Sequence, residues 1–522
     1  MMTFEHFDVL IMGAGLSGIG AARHLQKCCP SKSYLILDQR ARIGGTWDLF
    51  RYPGIRSDSD MLTMSYSFRP WTHPTTISPG SDIREYVTAT ARDEGIDRNI
   101  RFGHRIKSAA WSSQEAKWTV EAVRKMPDGR EEPVTLTCYF LFSCAGYYRY
   151  SAGYSPAFPG ADRFQGRLIH PQVWPADLDY TGKRVVIIGS GATAVTLLPA
   201  MAESAGHVTM LQRSPTYVVS LPAQDAMANR LRPWLPDAWA YRLTRWKNVA
   251  FTMYLYQVAR RRPDFMKAHI INGIRQALGP DYDVATHFTP RYNPWEQRLC
   301  LVPDGDMFQA IKSGRASVVT DQIETFTQSG IQLKSGQHLD ADIIVTATGL
   351  VLEAYGGISL SVDGSSVDVG QTLAYKGVML SSVPNFAAVF GYINASWTLK
   401  ADLLSTYVCR LLNLLDRKGV RQVTPRSRDE KAAAPFVENF SSSYMQRGLA
   451  SWPKQGSKPP WRVYQNYILD VISLKWAPVD NPALEFSNPR QNSSTPGSNE
   501  LTTAARECRQ ENPAALSRRS RD

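Results

Sequence analysis

The sequence predicts an α/β chain of two doubly wound units, accompanied by β-meanders and a helical insertion. Three observations predict it. A short apolar run that opens into a glycine-rich turn and then a helical stretch occurs twice, with turns at Gly13–Gly18 (GAGLSG) and Gly189–Ala194 (GSGATA). From about Arg105 to Thr137 the apolar residues alternate, with a turn signal at Asp128-Gly129. From about Asp225 to Gly279 strand patterning is absent, and Trp, Tyr and Arg recur along a helical pattern.

A chain of 522 residues is too long for one hydrophobic core, so two or three domains are expected. An apolar content of 43% with 20% charged residues is that of an ordinary globular protein. The formal charge of +12 is concentrated in local clusters such as Arg260–Arg262 and Arg518, Arg519 and Arg521. No RNA- or DNA-binding motif accompanies it, so nucleic acid is not an expected partner. The cysteines (Cys28, Cys29, Cys138, Cys144, Cys300, Cys409, Cys508) are odd in number and lack CxxC or metal-ligand spacing, which predicts reduced thiols and no metal site. A strand starting at Phe7 leaves no room for a signal peptide, and Val249–Ala259 is too short and too polar to span a bilayer. A cytoplasmic location is expected. The aromatic–basic insertion is read as cover for a substrate pocket, with peripheral membrane contact as the other possibility.

In the first unit the strand Phe7–Met12 leads into Gly13, Gly15 and Gly18 and a helix to about Lys27. The first glycine permits a tight turn, the second lets a pyrophosphate approach the backbone, and the third allows close helix–strand packing. A second strand, Ser33–Leu37, ends in Asp38, about 20 residues past the last glycine, where a carboxylate can bond both ribose hydroxyls. An acid there disfavours a 2′-phosphate, so this site suits FAD or NAD. Gly44-Gly45-Thr46-Trp47 then fits a loop pressed against a flat ring, and Arg51–Asp58 (RYPGIRSD) follows.

In the second unit Arg184–Ile188 leads into Gly189, Gly191, Thr193 and Ala194, alanine replacing the third glycine. Its next strand, Val208–Leu211, ends in Gln212-Arg213-Ser214 without an acid. A guanidinium in the acid's place favours a 2′-phosphate, so NADPH is expected over NADH, with Arg213 as its reader. Two nucleotide sites on one chain suggest an electron-transfer enzyme, one cofactor staying bound while the other delivers hydride. The predicted boundaries are 1–155 and 345–485 for the first unit, 156–224 and 290–344 for the second, 225–289 for the insertion and 486–522 for a disordered Ser/Asn/Pro/Arg tail.

Between the glycine turns, Phe164–Pro175 reads FQGRLIHPQVWP. This segment, flanked by two Rossmann turns, resembles the class B flavin-dependent monooxygenases and fits the Baeyer–Villiger fingerprint FxGxxxHxxxW at Phe164, Gly166, His170, Trp174 and Pro175. The stretches GGTWDLFRYPGIRSDSD, QRSPTY, PRYNPWEQRLC, DADIIVTATGL and NASWTLKADL are similar to the thioamide-prodrug-activating group of that family, from near the N-terminus to about residue 480. The resemblance implies FAD and NADPH as cofactors: NADPH reduces the flavin, O2 is captured as a C4a-peroxide, and retained NADP+ protects it. That adduct converts a ketone to an ester or oxygenates a sulfide or thioamide. The resemblance also assigns Arg298 as the catalytic arginine, with Asp58 orienting it. A fixed guanidinium suits the anion that develops on a ketone oxygen. His170 is read as orienting rather than proton-transferring, and the linker as coupling the two units. Family members often carry Lys before the arginine. Gln297 stands there, shifting 2′-phosphate recognition onto Arg213.

Other enzyme classes share parts of this pattern. A disulfide reductase needs a cysteine pair after the first unit, and Gly44–Asp58 has none. A heteroatom (N/S) monooxygenase, or a hydroxylase of alkane or ketone degradation, would share the fold and cofactors; Trp174 favours the Baeyer–Villiger side. A catalytically silent flavoprotein would not need Asp58 and Arg298.

Overall fold

The computed structural model describes residues 4–427, 433–438 and 440–489. Two sheets organise them. In the first, the strand Glu5–Met12 lies parallel between Tyr34–Leu37 and Glu131–Ser143. Val9–Met12 and Tyr34–Leu37 are buried throughout, as expected for parallel strands covered on both faces. The helix Leu16–Cys28 packs on one face and meets the long helix Trp397–Lys418, Trp397 Nε1 donating to Ser17 Oγ and Asn413 Nδ2 to the Cys28 carbonyl.

The alternating region forms a meander of His104–Ser112, Lys117–Lys125 and Glu131–Ser143, turning at Asp128-Gly129. One expectation is corrected here. The alternating run, expected to stop at about Thr137, continues without a break into the buried apolar stretch Phe140–Ser143, the second half of the meander's last strand. That strand is antiparallel to Lys117–Lys125 along one edge and parallel to Glu5–Met12 along the other. It alternates where one face is open and becomes continuously apolar where both faces are covered.

The second sheet has five parallel strands in the order Ala316–Thr320, His207–Gln212, Arg184–Ile188, Ile343–Thr346, Arg167–Ile169. The boundary at 344 therefore cuts a strand, and the second unit runs on through Thr346. The chain rejoins the first sheet at Ser359–Val362, which pairs with His104–Ser112. The tail expected from 486 also starts inside a strand: Leu484–Ser487 pairs antiparallel with Gln422–Pro425, because Asn385 and Val423 anchor that ribbon to the core. Cys508 and the rest of that tail from 490 onward lie outside the described residues.

The insertion is helical, as patterned: Ala226–Leu231, Asp237–Arg261, Pro263–Leu278 and Val284–Phe288. Pro263–Leu278 buries Ile270, Ile271, Ile274 and Leu278 in the second unit's core. Asp237–Arg261 lies on the first unit, its Arg245 donating to the backbone carbonyls of Leu62, Thr63 and Ser65 at 2.8–3.1 Å.

Candidate active site

Both glycine turns open onto one connected cavity of about 900 Å³. Each turn is built the same way. Gly13 has φ +99°, and a Cβ on it would lie 2.8 Å from the Cys144 carbonyl oxygen at the end of the neighbouring parallel strand. Gly189 has φ +137°, and its Cβ would lie 2.4 Å from the Ala347 carbonyl at the corresponding strand end. This explains why Cys144-Ala145-Gly146 is echoed by Ala347-Thr348-Gly349. Gly18 packs on the carbonyl of Gly13, where a Cβ would come within 1.8 Å. Ala194 is fully buried in the second unit, behind the cavity wall.

The helices that follow start at Gly15 and Gly191 with no side-chain cap, so their first N–H groups are free to face the cavity. A Cβ on Gly191 would meet nothing within 4 Å, and one on Gly15 only the Gly44–Gly45 backbone, nearest at 3.5 Å. Each turn thus leaves room for a pyrophosphate.

Asp38 ends its strand buried, accepting the Ala14 N–H and the Arg40 N–H at 2.7 Å each. Burial raises its pKa, against those two bonds. The second unit has Gln212 in the corresponding place, its amide donating to the His287 carbonyl and Thr320 Oγ1. The next residue, Arg213, is exposed on the cavity wall, which the half-buried Thr193 and Gln297 also line. Arg213 has no carboxylate partner among the described residues.

Gly45, Thr46 and Trp47 line the cavity, Thr46 Oγ1 standing 3.5 Å from Tyr150 Oη. Asp58 and Arg298 line it too, and they are ion-paired. The Asp58 loop is held by Ser57 N–H to the Ser78 carbonyl (2.9 Å) and by Ser78 N–H to Ser57 Oγ (3.0 Å). Asp58's charge holds the Arg298 guanidinium protonated well above its ordinary range, against the effect of burial. Tyr147, Tyr148 and Tyr444 surround the same guanidinium.

The fingerprint residues are placed elsewhere. Phe164, Gly166, His170, Trp174 and Pro175 do not line the cavity. Phe164 stands edge-on to Phe326, and a Cβ on Gly166 would lie 2.4 Å from the Asp342 carbonyl. The edge strand Arg167–Ile169 can therefore join Ile343–Thr346 only if 166 is glycine. Trp174 packs against the second unit's core. His170 Nδ1 accepts the Gln172 N–H at 3.1 Å, and its ring fills the space over Gly153, facing the backbone of Gly349 and Tyr154. Burial lowers its pKa, which keeps it neutral at pH 7.

Sequence reasoning missed the C-terminal contribution. Arg447 lies on the cavity wall with its guanidinium 3.6 Å above the Tyr154 ring, and Tyr444 approaches Arg298. The tyrosine-rich run Tyr147, Tyr148, Tyr150, Tyr154 was the available signal. The Arg56–Asp306 pair (2.5 Å), which ties the Asp58 loop to the second unit, had none. Conversely, no cavity-lining residue comes from 225–289: the insertion covers the outside of both units, because its buried faces are used in packing.

Two dinucleotide folds sharing one cavity define a two-nucleotide oxidoreductase. Residues 8–229 match the flavin-binding monooxygenase-like family. The chain is 51% identical over 488 residues to the FAD-containing monooxygenase EthA of Mycolicibacterium smegmatis, covering 93% of this chain and 98% of that protein. It is 53% identical over 485 residues to EthA of Mycobacterium tuberculosis, covering 92% and 98%. Among solved structures, a cyclohexanone monooxygenase in an open form superposes with a TM-score of 0.72 at 20% identity, over 93% of this chain and 100% of that one. A steroid monooxygenase bound to NADP gives 0.71 at 23%, over 92% and 100%. The chain belongs to the family of FAD-containing monooxygenases.

Proposed function

We propose that this protein is an NADPH- and O2-dependent Baeyer–Villiger monooxygenase that converts ketones to esters and also oxygenates sulfides or thioamides. The observation that carries the reading is the Arg298–Asp58 ion pair in the cavity where both glycine turns open. FAD fits the first turn: Gly15 leaves room for the pyrophosphate, Asp38 keeps lone pairs for the ribose, and Gly45–Trp47 offer a wall for the ring. NADPH fits the second, where Gly191 faces open space and Arg213 is a cation with no carboxylate partner among the described residues.

Bound FAD, once reduced by NADPH, supplies activated oxygen. The protein's own part is electrostatic. Arg298, held charged and oriented by Asp58, stabilises the negative charge that develops on a ketone oxygen during attack. Its planar fork can hold two oxygens at once in a fixed, coplanar geometry that a lysine's rotatable ammonium does not impose. Tyr147, Tyr148 and Trp397 wall the site against water, Trp397 stacking on Tyr147 at 5.1 Å and donating to Ser17 Oγ at 2.8 Å. His170 supports the Tyr154–Gly349 backbone and moves no proton.

The test is product analysis by mass spectrometry after incubation with NADPH, 18O2 and a mixed ketone and sulfide panel. Esters carrying one labelled oxygen are expected. Sulfoxides without any ester would assign the protein to heteroatom oxygenation instead.

A further inference from the structure

The helix Asp237–Arg261 is amphipathic in the reverse sense of a water-facing helix. Its inner face, with Tyr241, Thr244 and Arg245, is fixed to the first unit largely by polar contacts, Arg245 bonding three backbone carbonyls. Its outer face carries Trp239, Leu243, Trp246 and Tyr254, which are 57%, 46%, 55% and 65% exposed. At 3.6 residues per turn these four fall within an ~80° arc, one stripe along the helix.

A second element extends the stripe. Trp246 lies 5.8 Å from the ring of Tyr467, which begins the helical segment Tyr467–Trp476. That segment exposes Ile468, Leu469, Ile472 and Trp476. Elements distant in sequence thus present exposed aromatic and aliphatic side chains side by side, where a water-facing surface would carry charge.

Cations accompany them. Arg242 lies 5.6 Å from the Trp239 ring centroid. Arg260, Arg261 and Arg262 end the long helix and Lys475 sits in the second segment. None of these five has a carboxylate partner among the described residues, whereas Lys247 is paired with Asp225 and Asp470 with Lys400. Exposed Trp and Tyr with unpaired Arg and Lys match the headgroup layer of an anionic membrane. A second copy would meet this face with its own like-charged face across a two-fold axis.

We propose that this face docks on an anionic phospholipid bilayer, the stripe lying flat at headgroup depth. The docking does not depend on the oxygenation chemistry.

The test uses the FAD-loaded full chain in flotation with vesicles of phosphatidylcholine alone or mixed with phosphatidylglycerol. Flotation is expected with the anionic vesicles, weakened by raised salt. The W246S/W476S variant should lose at least about tenfold in partition with NADPH oxidation in solution unchanged, and the R260S/R262S variant should lose the preference for anionic lipid without touching an apolar residue. No flotation, or equal flotation on both vesicle types, would overturn the proposal. So would a wild-type dimer that W246S/W476S turns into monomer while vesicles are ignored.

Discussion

Arg298 and Asp58 come from opposite units of the chain and meet as an ion pair on the wall of one cavity. Asp58 follows the first unit's glycine loop, whereas Arg298 is separated only by Leu299 from the strand Cys300–Pro303. The pair exists only while the two units are closed on each other, which the Arg56–Asp306 pair beside it also requires.

If that guanidinium stabilises developing charge, Arg298→Ala should lower the rate of ester formation about 10²-fold or more. FAD content and NADPH oxidation should persist, so that reducing equivalents end in hydrogen peroxide. Arg298→Lys should recover little, because one ammonium cannot replace the fork. Ester yield measured against NADPH consumed checks this, and an unchanged ratio would remove Arg298 from the chemistry.

Arg213→Ala should raise the KM for NADPH roughly tenfold or more while leaving that for NADH nearly unchanged, since only the former carries the phosphate a guanidinium would bind. Steady-state kinetics with both nucleotides decides it. Equal effects would mean that Arg213 does not read the 2′-phosphate.

The two glycine turns should separate the two cofactors. Gly13→Ala forces a Cβ against the Cys144 carbonyl and should cost FAD retention, while Gly189→Ala forces one against the Ala347 carbonyl and should spare FAD but abolish nucleotide-driven reduction. The flavin absorbance of the purified variants and their anaerobic reduction by NADPH report the two losses independently.

His24 and Asp402 form a pH-dependent tie between the first helix and the long helix Trp397–Lys418, at 3.5 Å. Burial works to lower the His24 pKa, but the bonds to Asp402 and Cys28 raise it to about 9. A group whose folded pKa lies above its unfolded value of 6.5 stabilises fully below 6.5 and loses that contribution as pH rises through about 9. Asp402, whose pKa is lowered by His24 against burial, loses its contribution as pH falls through the carboxylate range. The tie, at most about 3 kcal/mol, should therefore be full between about pH 4 and 6.5 and fade as pH rises from 6.5 to about 9. Comparing Tm against pH for the wild type and H24Q tests it: the variant's loss of Tm should be full below pH 6.5, shrink as pH rises from there and be nearly gone by about pH 9.

Much of the fold was legible because strand, glycine turn and helix are local patterns. Phe7–Met12 with GAGLSG, and Arg184–Ile188 with GSGATA, carry their own turn geometry, and each strand's covering by helices shows in its run of buried apolar residues. Asp38 and Arg213 were legible as a contrast at equivalent strand ends. The role of Gly166 was not, since its need arises from the Asp342 carbonyl of a strand far along the chain.

By itself the sequence determined two nucleotide folds, their order, and the residue types suited to each cofactor, since all of these are written in spacings of a few residues. Only the tertiary structure decided that Tyr444 and Arg447 reach the cavity of the Arg298–Asp58 pair, that Arg56 and Asp306 pair beside it, and that the helical insertion lies outside it. Those contacts join segments far apart in the chain, and which faces pack inward is set by the competition of the whole core for burial rather than by any local pattern.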